Sequence, residues 1–383
     1  MVAARLILLV ILQTLSTHMK PKRFVLPWWM GFSVSLLLPI TFLVFLLTGP
    51  HRPWLAVAFT FPVWALIAWD YWAKSETRWV PSEAPGWFFD GLLYLLALLQ
   101  ILNLLAMGMM VMEIHWGGLY ENVVGCLNLV VLRILGGTTF CCSVIAPAHE
   151  LIHRRSKWQH FLGRFMLLLT FYDHFAIAHR QGHHARLGSQ ADPSTAEAGE
   201  TYEAFFWRSL NRQWQVALRA QPHRVWLGVL LGGVLMLGYG LLFGGLALFA
   251  WIYISGVAIR LLESVNYFQH YGLTLSAPHS SRTAWRCDSK LSYFLFLGLT
   301  RHADHHRRPG IPYQELQSIP HSLKLPRGYL WTAIWVKNRN ADFRRWAQAE
   351  VLRVSRPVHA KTGRPLSLAT GQEAIGFARE ECA

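Results

Sequence analysis

VWLGVLLGGVLMLGYGLLFGGLALFAWIYISGVAIRLL, residues 225–262, is the stretch that indicates the class of fold, and its first charged residue is Arg260. A helix that crosses a bilayer needs roughly 20 mainly apolar residues. This run is about twice that length. It is too long for one span and suits a tight hairpin of two, with the turn near Gly238 to Gly245.

The rest of the chain repeats this apolar pattern. Hydrophobic residues make up 53% of the sequence and the mean hydropathy is +0.27, values that favour a membrane protein over a soluble domain. With the hairpin, the runs predict an all-α integral membrane protein with six transmembrane helices. The other four runs are approximately Pro27 to Leu47, Trp54 to Trp72, Trp87 to Val111, and Val123 to Ala146.

Basic residues in short loops predict the orientation. They precede the first run and follow the second and the fourth, so the positive-inside tendency favours cytoplasmic N- and C-termini, in the cell inner membrane. We therefore expect an N-terminal segment 1–26, with Met19 as an alternative start, and a bundle over 27–262. A cytoplasmic insertion, 147–224, and a cytoplasmic cap, 263–383, complete the division.

Charge and cysteine content exclude other classes. The formal net charge of +15 comes from Lys and Arg that lie between apolar runs and form no continuous stripe, so no nucleic-acid partner is indicated. The five cysteines show no CxxC pair, which argues against a disulfide framework or a thiolate metal site. They are Cys126, Cys141, Cys142, Cys287 and Cys382.

Histidines are concentrated in the two cytoplasmic regions. Of eighteen in the chain, nine fall into four tight clusters, with spacings of three and four residues that place side chains on one helical face. The clusters read HELIH from residue 149, HRQGHH from 179, NYFQHYG from 266 and HADHH from 302. Their histidines are His149, His153, His179, His183, His184, His270, His302, His305 and His306.

Neutral imidazole is the commonest metal ligand and suits iron, copper or zinc. Nine donors exceed what one ion accepts, but four or five on each of two ions leave room for dioxygen or substrate. The spacing therefore predicts a dinuclear metal site. The other histidines are interpreted as ordinary polar residues: His18, His51, His115, His160, His174, His223, His279, His321 and His359.

With these clusters in order, the chain resembles the membrane-bound alkane 1-monooxygenases, within the wider superfamily of fatty-acid desaturases and hydroxylases. The likeness covers roughly residues 140 to 320. His149 to Arg154 resembles the family's first histidine box, and Gly182 to His184 with Ala191 to Ala196, Gly199 and Glu200 resembles the second. Asn266 to Leu273 is similar to its NYxEHYGL element, and Leu299 to His306 to its third box, LQRHSDHH.

The resemblance implies a cofactor and partners. The nine clustered histidines would hold two non-haem iron ions (Fe2+/Fe3+), and electrons would come from NAD(P)H through a reductase and a rubredoxin or ferredoxin. A hydrophobic substrate would enter from the membrane lipid, through a slot lined by residues within 95–111 and 225–250. Glu150, Asp192 and Asp304 are the residues we expect to orient the ligating imidazoles.

Four departures from the family pattern stand near the boxes, and none removes a histidine. Ala178 and Gln269 replace glutamates, and Thr300 and Ala303 replace Gln and Ser of the third box. The segment from Trp285 to Ser289 replaces an Asn-rich approach. These differences affect which substrate is expected and how the residues around the ligands set the properties of the metals.

The expected reaction is hydroxylation of an aliphatic C–H, terminal alkane hydroxylation first. Alternatives with the same centre are a fatty-acid desaturase, a decarboxylase that forms terminal alkenes, and a xylene-type methyl hydroxylase. In the two fatty-acid alternatives, the substrate carboxylate would be bound by Arg180, Arg260 and Arg301. Arg260 is better explained by snorkelling or by pairing with Glu263.

Two further readings use a different site. An intramembrane zinc metalloprotease would use the HExxH of residues 149–153, with Glu150 as general base, but would leave seven histidines unexplained. A protein that is not an enzyme, either a transporter or a metal-binding membrane protein, is disfavoured because the apolar runs contain almost no ionisable residues and the ligands gather at one face.

Overall fold

The computed structural model describes residues 26–273, 283–320 and 322–355, and these residues are mainly helical. Their only extended pairings are two isolated bridges, between Ser75 and Ser289 and between Arg286 and Lys324. The all-α prediction is therefore confirmed. Most of the predicted segment 1–26, with Met19, and the end of the predicted cap lie outside the described residues.

Residues 28–151 form the first six helices of the bundle. A 3-10 helix, Trp28–Leu36, leads into α1, and a π-helical turn, Cys141–Ile145, joins α5 to α6. The helices are α1 Leu37–Thr48, α2 Pro53–Ala58, α3 Phe61–Trp72, α4 Gly86–Met112, α5 Leu119–Phe140 and α6 Ala146–Leu151.

The second half alternates short helices with two long ones. It also contains a second π-helical segment, His179–His183, and 3-10 turns at Leu299–Arg301 and Tyr313–Glu315. The helices are α7 Lys157–Leu168, α8 Phe175–Ala178, α9 His184–Arg186, α10 Tyr202–Ala220, α11 Pro222–His270, α12 Lys290–Leu295, α13 His302–Arg307, α14 Tyr329–Asn338 and α15 Asn340–Ser355.

Five helical stretches are long and apolar enough to cross a membrane, and each overlaps a predicted run. The fourth extends beyond its predicted end because helix continues through the π turn past residue 146, and the fifth continues to His270, past the predicted end at residue 262. The five are Trp28–Thr48, Pro53–Trp72, Gly86–Met112, Leu119–Leu151 and Pro222–His270.

The last of these stretches folds back on itself. Gly244 interrupts α11 with φ 84° and ψ 169°, a conformation that glycine adopts without the steric penalty of a Cβ. The rings of Tyr239 and Trp251 lie 4.8 Å apart, whereas twelve residues of straight helix span about 18 Å. The chain therefore reverses at Gly244, inside the predicted turn.

The apolar run from Phe161 to Ala178 suits a single helix lying against the bundle. That prediction is wrong, because the structure divides the run into two helices. Helix α7 ends at Leu168, and α8 begins only at Phe175. Between them Phe171 takes a left-handed φ of 56°, which is uncommon for a bulky residue and breaks the helical path. This break lets α8 and the π-helical segment after it leave the direction of α7 and carry their histidines to the site.

Two buried carboxylates join distant parts of the chain. Asp70, near the end of α3, accepts hydrogen bonds from the hydroxyls of Ser289 and Ser292, both at 2.7 Å, and from the N–H of Leu330 at 2.9 Å. A Cβ on Gly328 would lie 1.9 Å from an Asp70 oxygen, so glycine is required there. The cap helices α12 and α14 are thereby fixed to α3.

Glu263, on the second arm of α11, is the other fastening carboxylate. It accepts hydrogen bonds from the hydroxyls of Tyr172 at 2.7 Å and Ser209 at 2.8 Å, and from the amide of Gln213 at 3.0 Å. Because a buried carboxylate needs such partners, this network joins α10 and the α7–α8 connection to α11. It thereby holds the chain just before α8, which leads to His179, against the arm of α11 that ends at His270.

Candidate metal centre

The structure brings all nine clustered histidines together in two adjacent groups, and the ligand atoms of each group lie within 4.8 Å of one another. The first group has five rings from three stretches of chain. The Nε2 atom of His179 lies 2.9 Å from that of His149 and 3.0 Å from that of His184. The members are His149, His153, His179, His184 and His305.

The second group has four rings and is more deeply buried. The Nε2 atoms of His183 and His306 are 3.2 Å apart, and the rings of His302 and His306 have centroids 4.3 Å apart. His183 and His270 complete the group, with ring centroids 4.7 Å apart. The two groups touch, since the rings of His302 and His305 lie 5.4 Å apart.

The backbone around residue 179 decides which histidine joins which group. In an α-helix His179 and His183, four residues apart, would share a face. The segment His179–His183 is instead π-helical, with a wider turn. His179 therefore meets His184, five residues on, and His183 points to the second group.

The α-helix at residue 302 sorts its histidines by the ordinary period. His302 and His306, four residues apart, meet in the second group, and His305 faces the first. Adjacent histidines at 183–184 and 305–306 thus serve different groups. Each HH pair links the two groups through one backbone unit.

The imidazoles are held neutral. Burial lowers the pKa of His153, His179 and His184 well below 6.5, and neighbouring histidines lower it further. The same causes hold the pKa of His302, His305 and His306 well below the ordinary value. Neutral rings offer a lone pair, which is the form that binds a metal.

The fit to metal ions rests on spacing and on unpaired atoms. Adjacent nitrogens around an ion with bonds of about 2.1 Å lie about 3 Å apart, and the Nε2 separations here are 2.9 to 3.2 Å. Several buried ring nitrogens also have no hydrogen-bond partner, which is unfavourable unless something binds them. They are His153 Nε2, His270 Nε2, His302 Nδ1, His302 Nε2 and His306 Nδ1.

Two hydrogen bonds orient rings of the second group. His183 Nδ1 donates to the Asp192 carboxylate at 2.9 and 3.0 Å, and His270 Nδ1 donates to the carbonyl of Thr283 at 3.0 Å. Although burial opposes ionisation, His183 and other donors hold the pKa of Asp192 below its usual value. Both bonds direct Nε2 toward the centre of the group.

The other two expected orienting residues make different contacts. Glu150 pairs with Arg154 at 2.7 Å and accepts from the N–H of Tyr313 at 3.1 Å. Asp304 pairs with Arg308 and accepts from the N–H of Gln317 at 2.8 Å. Both carboxylates hold the cap chain rather than a ring.

The histidines read as ordinary polar residues have other surroundings where the structure describes them. His51 bonds the carbonyl of Phe45 at 2.9 Å, His160 bonds that of Ile152 at 3.0 Å, and His174 stacks on Trp214 with centroids 3.9 Å apart. His18, His279, His321 and His359 lie outside the described residues.

The expected pairing of Arg260 with Glu263 is wrong. Arg260 pairs with Glu203, and Glu263 is occupied by the fastening network. Arg301 is buried and donates to the carbonyls of Leu316 and Arg78. Of the three arginines considered for a carboxylate, only Arg180 has no such partner among the described residues.

The structure adds contacts that no motif indicated. Phe175 stacks on His179 with centroids 4.9 Å apart and backs the first group. The Thr283 carbonyl is a backbone group, so its side chain carried no signal. At a departure from the family pattern, the Gln269 amide donates to the Tyr329 hydroxyl at 2.6 Å.

Several helices are long and apolar enough to cross a membrane, and two histidine groups suited to metal ions lie together. These features define the class of this protein as a membrane-type helical protein with a histidine metal centre. The fatty acid desaturase family model matches residues 125–330, more than half of the chain. The chain belongs to that family.

Three named relatives indicate which enzymes of the superfamily this chain is similar to. Alkane 1-monooxygenase of Acinetobacter baylyi is 29% identical over 48% of this chain and 50% of its own length. Alkane 1-monooxygenase 2 of Pseudomonas aeruginosa is 28% identical over 72% of this chain and 78% of its own. The xylene/toluene monooxygenase hydroxylase component XylM of Pseudomonas putida is 27% identical over 64% and 72%.

The resemblance to alkane 1-monooxygenases is therefore confirmed. The match spans about half the length of the first curated relatives, 50% and 56%.

Proposed function

We propose that the chain is a membrane monooxygenase that inserts oxygen into an aliphatic C–H bond, with two iron ions held by its nine clustered histidines. The observation that carries this proposal is the convergence of those histidines into groups of five and four. An all-imidazole donor set suits iron, and bound iron would supply the activation of dioxygen. The similarity to alkane 1-monooxygenases supports terminal alkane hydroxylation first.

The chain's own residues would have three tasks. The neutral rings would hold the metals, and Asp192 and the Thr283 carbonyl would fix His183 and His270. The apolar bundle would admit a substrate that partitions into lipid. A cavity of about 450 Å³ coincides with part of the expected slot, because Val225, Val229 and Met236 line it. No residue of 95–111 and none of the nine clustered histidines is among its lining residues.

A topology follows from this proposal. The reversal at Gly244 would turn the fifth candidate stretch into two spans, which gives six. Both termini and both histidine-bearing regions would face the cytoplasm, at the inner membrane. Cysteine accessibility labelling at Trp116, between the third and fourth stretches, and at Trp158 should then label opposite faces of the membrane.

We infer that the electron donor is a separate rubredoxin or ferredoxin with its NAD(P)H reductase. A polar cavity of about 190 Å³ beside His179 supports an acidic donor, because Arg164, Arg180 and Arg224 line it. Among the residues that the structure describes, only Arg164 of these three has a carboxylate partner. Arg224→Glu should raise the KM for the donor about tenfold at low salt and leave the iron content unchanged. Arg345→Glu, on exposed α15, is the matched control.

Iron analysis and product analysis on the same protein test the reaction. Purified chain should hold about two irons, and with donor and reductase it should convert a C12 alkane to the 1-alcohol. The proposal fails if the iron-loaded protein consumes no dioxygen and hydroxylates no alkane, alkylbenzene or fatty acid.

The similarity to XylM makes methyl hydroxylation of an alkylbenzene the second candidate. Desaturation or decarboxylation of a fatty acid is the third, with Arg180 as the remaining arginine for the carboxylate. Parallel assays with a C12 alkane, xylene and a C12 acid separate the three. A protein with one zinc and no iron would instead favour a metalloprotease.

A further inference from the structure

A cavity of about 350 Å³ on the side of the bundle contains two cations in an otherwise mainly apolar lining. It lies among α3, α5, the second arm of α11, and α14. Arg133 comes from the candidate span Leu119–Leu151, and Lys337 comes from the last turn of α14, some two hundred residues later. The fold therefore assembles this charge pair from distant parts of the chain.

Neither cation is neutralised by the described part of the protein. Arg133 is exposed and donates to the hydroxyl of Tyr253 at 3.1 Å, and within the described ranges no carboxylate pairs with it or with Lys337. The nearby Glu203 is taken by Arg260. Lys337 is exposed, but the burial of part of its side chain lowers its pKa, and Arg260 and Arg133 lower it further, so the cavity has a positive potential.

Such a pair is unusual at this place. Charged side chains within apolar spans are rare, and they commonly mark a functional site. An arginine that only snorkels extends its charge to water and needs no second cation nearby. Here Arg133 and Lys337 line the same cavity, and the described part of the chain pairs neither with a carboxylate. An anion between them would remove the repulsion and the uncompensated charge.

The remaining lining indicates what the anion is attached to. Val63, Trp64 and Ile67 of α3 and Val257 and Leu261 of α11 offer apolar surface, and Trp64 is 52% exposed at the outer face of the bundle. An apolar groove that carries two cations complements an anionic headgroup joined to an acyl chain. A soluble anion would leave this apolar surface unused.

We propose that this cavity, which we call the Arg133–Lys337 site, binds an acidic phospholipid from the bilayer, with its phosphate between the two cations and an acyl chain along α3 and α11. Guanidinium and ammonium groups both donate charge-assisted hydrogen bonds to phosphate oxygens. The Arg133–Lys337 site is lined by none of the nine clustered histidines, so this proposal does not require bound metal.

The lipid would also reach the neighbourhood of the second histidine group. Tyr329 lines the cavity, and its hydroxyl accepts the hydrogen bond from Gln269, the residue before His270. An acyl chain in the cavity would therefore pack against Tyr329, which is connected through Gln269 to the candidate metal ligand His270.

The test measures which lipid the full-length protein retains. The protein is reconstituted in nanodiscs of phosphatidylcholine and phosphatidylglycerol and re-extracted, and its bound lipid is quantified by mass spectrometry. We expect phosphatidylglycerol to be enriched on the parent. The double variant Arg133→Leu/Lys337→Met should lose that enrichment about tenfold, since two headgroup contacts are removed. The control Arg52→Leu/Lys74→Met removes the same residue types from the ends of candidate spans and should retain it.

Thermal unfolding guards against a folding artefact. In discs of phosphatidylcholine alone the double variant should be at least as stable as the parent, because it lacks two unpaired cations. Phosphatidylglycerol should raise the melting temperature of the parent and not of the double variant.

Three results would overturn the proposal: equal phosphatidylglycerol retention by parent and double variant, displacement of the lipid by inorganic phosphate, or selective retention of a free fatty acid in its place.

Discussion

The two histidine groups use the same ligand type but are supported differently. In the four-ring group, Asp192 and the Thr283 carbonyl accept hydrogen bonds from His183 and His270. In the five-ring group, the described residues place no carboxylate in hydrogen-bond contact with a ring, and Phe175 packs on His179 instead. One group is oriented by polar contacts, and the other by packing and by its larger number of rings.

This difference predicts unequal tolerance to change. A group of four loses a quarter of its donors with one ring, and its remaining rings depend on specific hydrogen bonds. A group of five keeps four donors after the same loss. We therefore expect the second group to be the more easily disabled, although it is the more deeply buried.

The largest expected effect comes from removing a ring. His302→Ala should lower the iron content by about one per chain and reduce product formation more than about 100-fold, beyond what loss of an orienting residue does. His305→Ala should keep more iron, because four rings remain in its group. Iron per chain by mass spectrometry and alcohol formation are the readouts, with exposed His115→Ala as the control. Equal iron loss in both variants would contradict the unequal tolerance.

Loss of an orienting contact should be milder. Asp192→Asn weakens the acceptor for His183 Nδ1 and should reduce iron affinity or activity about 10- to 100-fold. Thr195→Val is the matched control, because the Thr195 hydroxyl also bonds Asp192, at 2.7 Å, but does not touch the ring. If both variants lose iron equally, Asp192 supports the loop and not His183.

Much of the fold could be predicted from the sequence. The apolar runs located the long helices because spanning length and composition are local properties. The hairpin followed from a run of double length with glycines at its middle. The break at Phe171 had no such signal, because neither glycine nor proline, the usual helix breakers, occurs between Arg164 and Ala178.

The candidate site was predictable in membership but not in arrangement. Composition and spacing selected the nine histidines that the structure gathers. Their division could not be read, since His179 and His183 have α-helical spacing and the π-helical backbone separates them. Of the three carboxylates expected to orient imidazoles, Asp192 contacts His183, whereas Glu150 and Asp304 accept hydrogen bonds from the backbone of the cap.

Acid should affect both groups alike, which tests whether they share neutral rings. Burial keeps the pKa of His302 and His305 well below 6.5 in the fold, so the unfolded chain binds more protons below that pH. The stability of the metal-free protein should be constant above about pH 7 and fall below pH 6.5, by up to about 1.4 kcal/mol per pH unit for each ring. His302→Ala and His305→Ala should each flatten this slope in urea titrations at pH 7.5, 6.5 and 5.5. A flatter slope in only one variant would show that the two groups differ in protonation.

The smallest effect should come from the packing that supports the first group. Phe175→Leu keeps an apolar side chain but removes the stacked ring, whose contact with His179 is worth about 0.5–1.5 kcal/mol. Iron loss to a chelator should therefore speed up about two- to tenfold for one of the two irons, because the second group does not contact this ring. Phe161→Leu, on the exposed side of α7, is the control for loss of an aromatic ring. Faster loss of both irons would mean that the two groups release metal together. The difference between hydrogen-bond support and packing support would then explain the positions of the rings, but not the affinity for the ions.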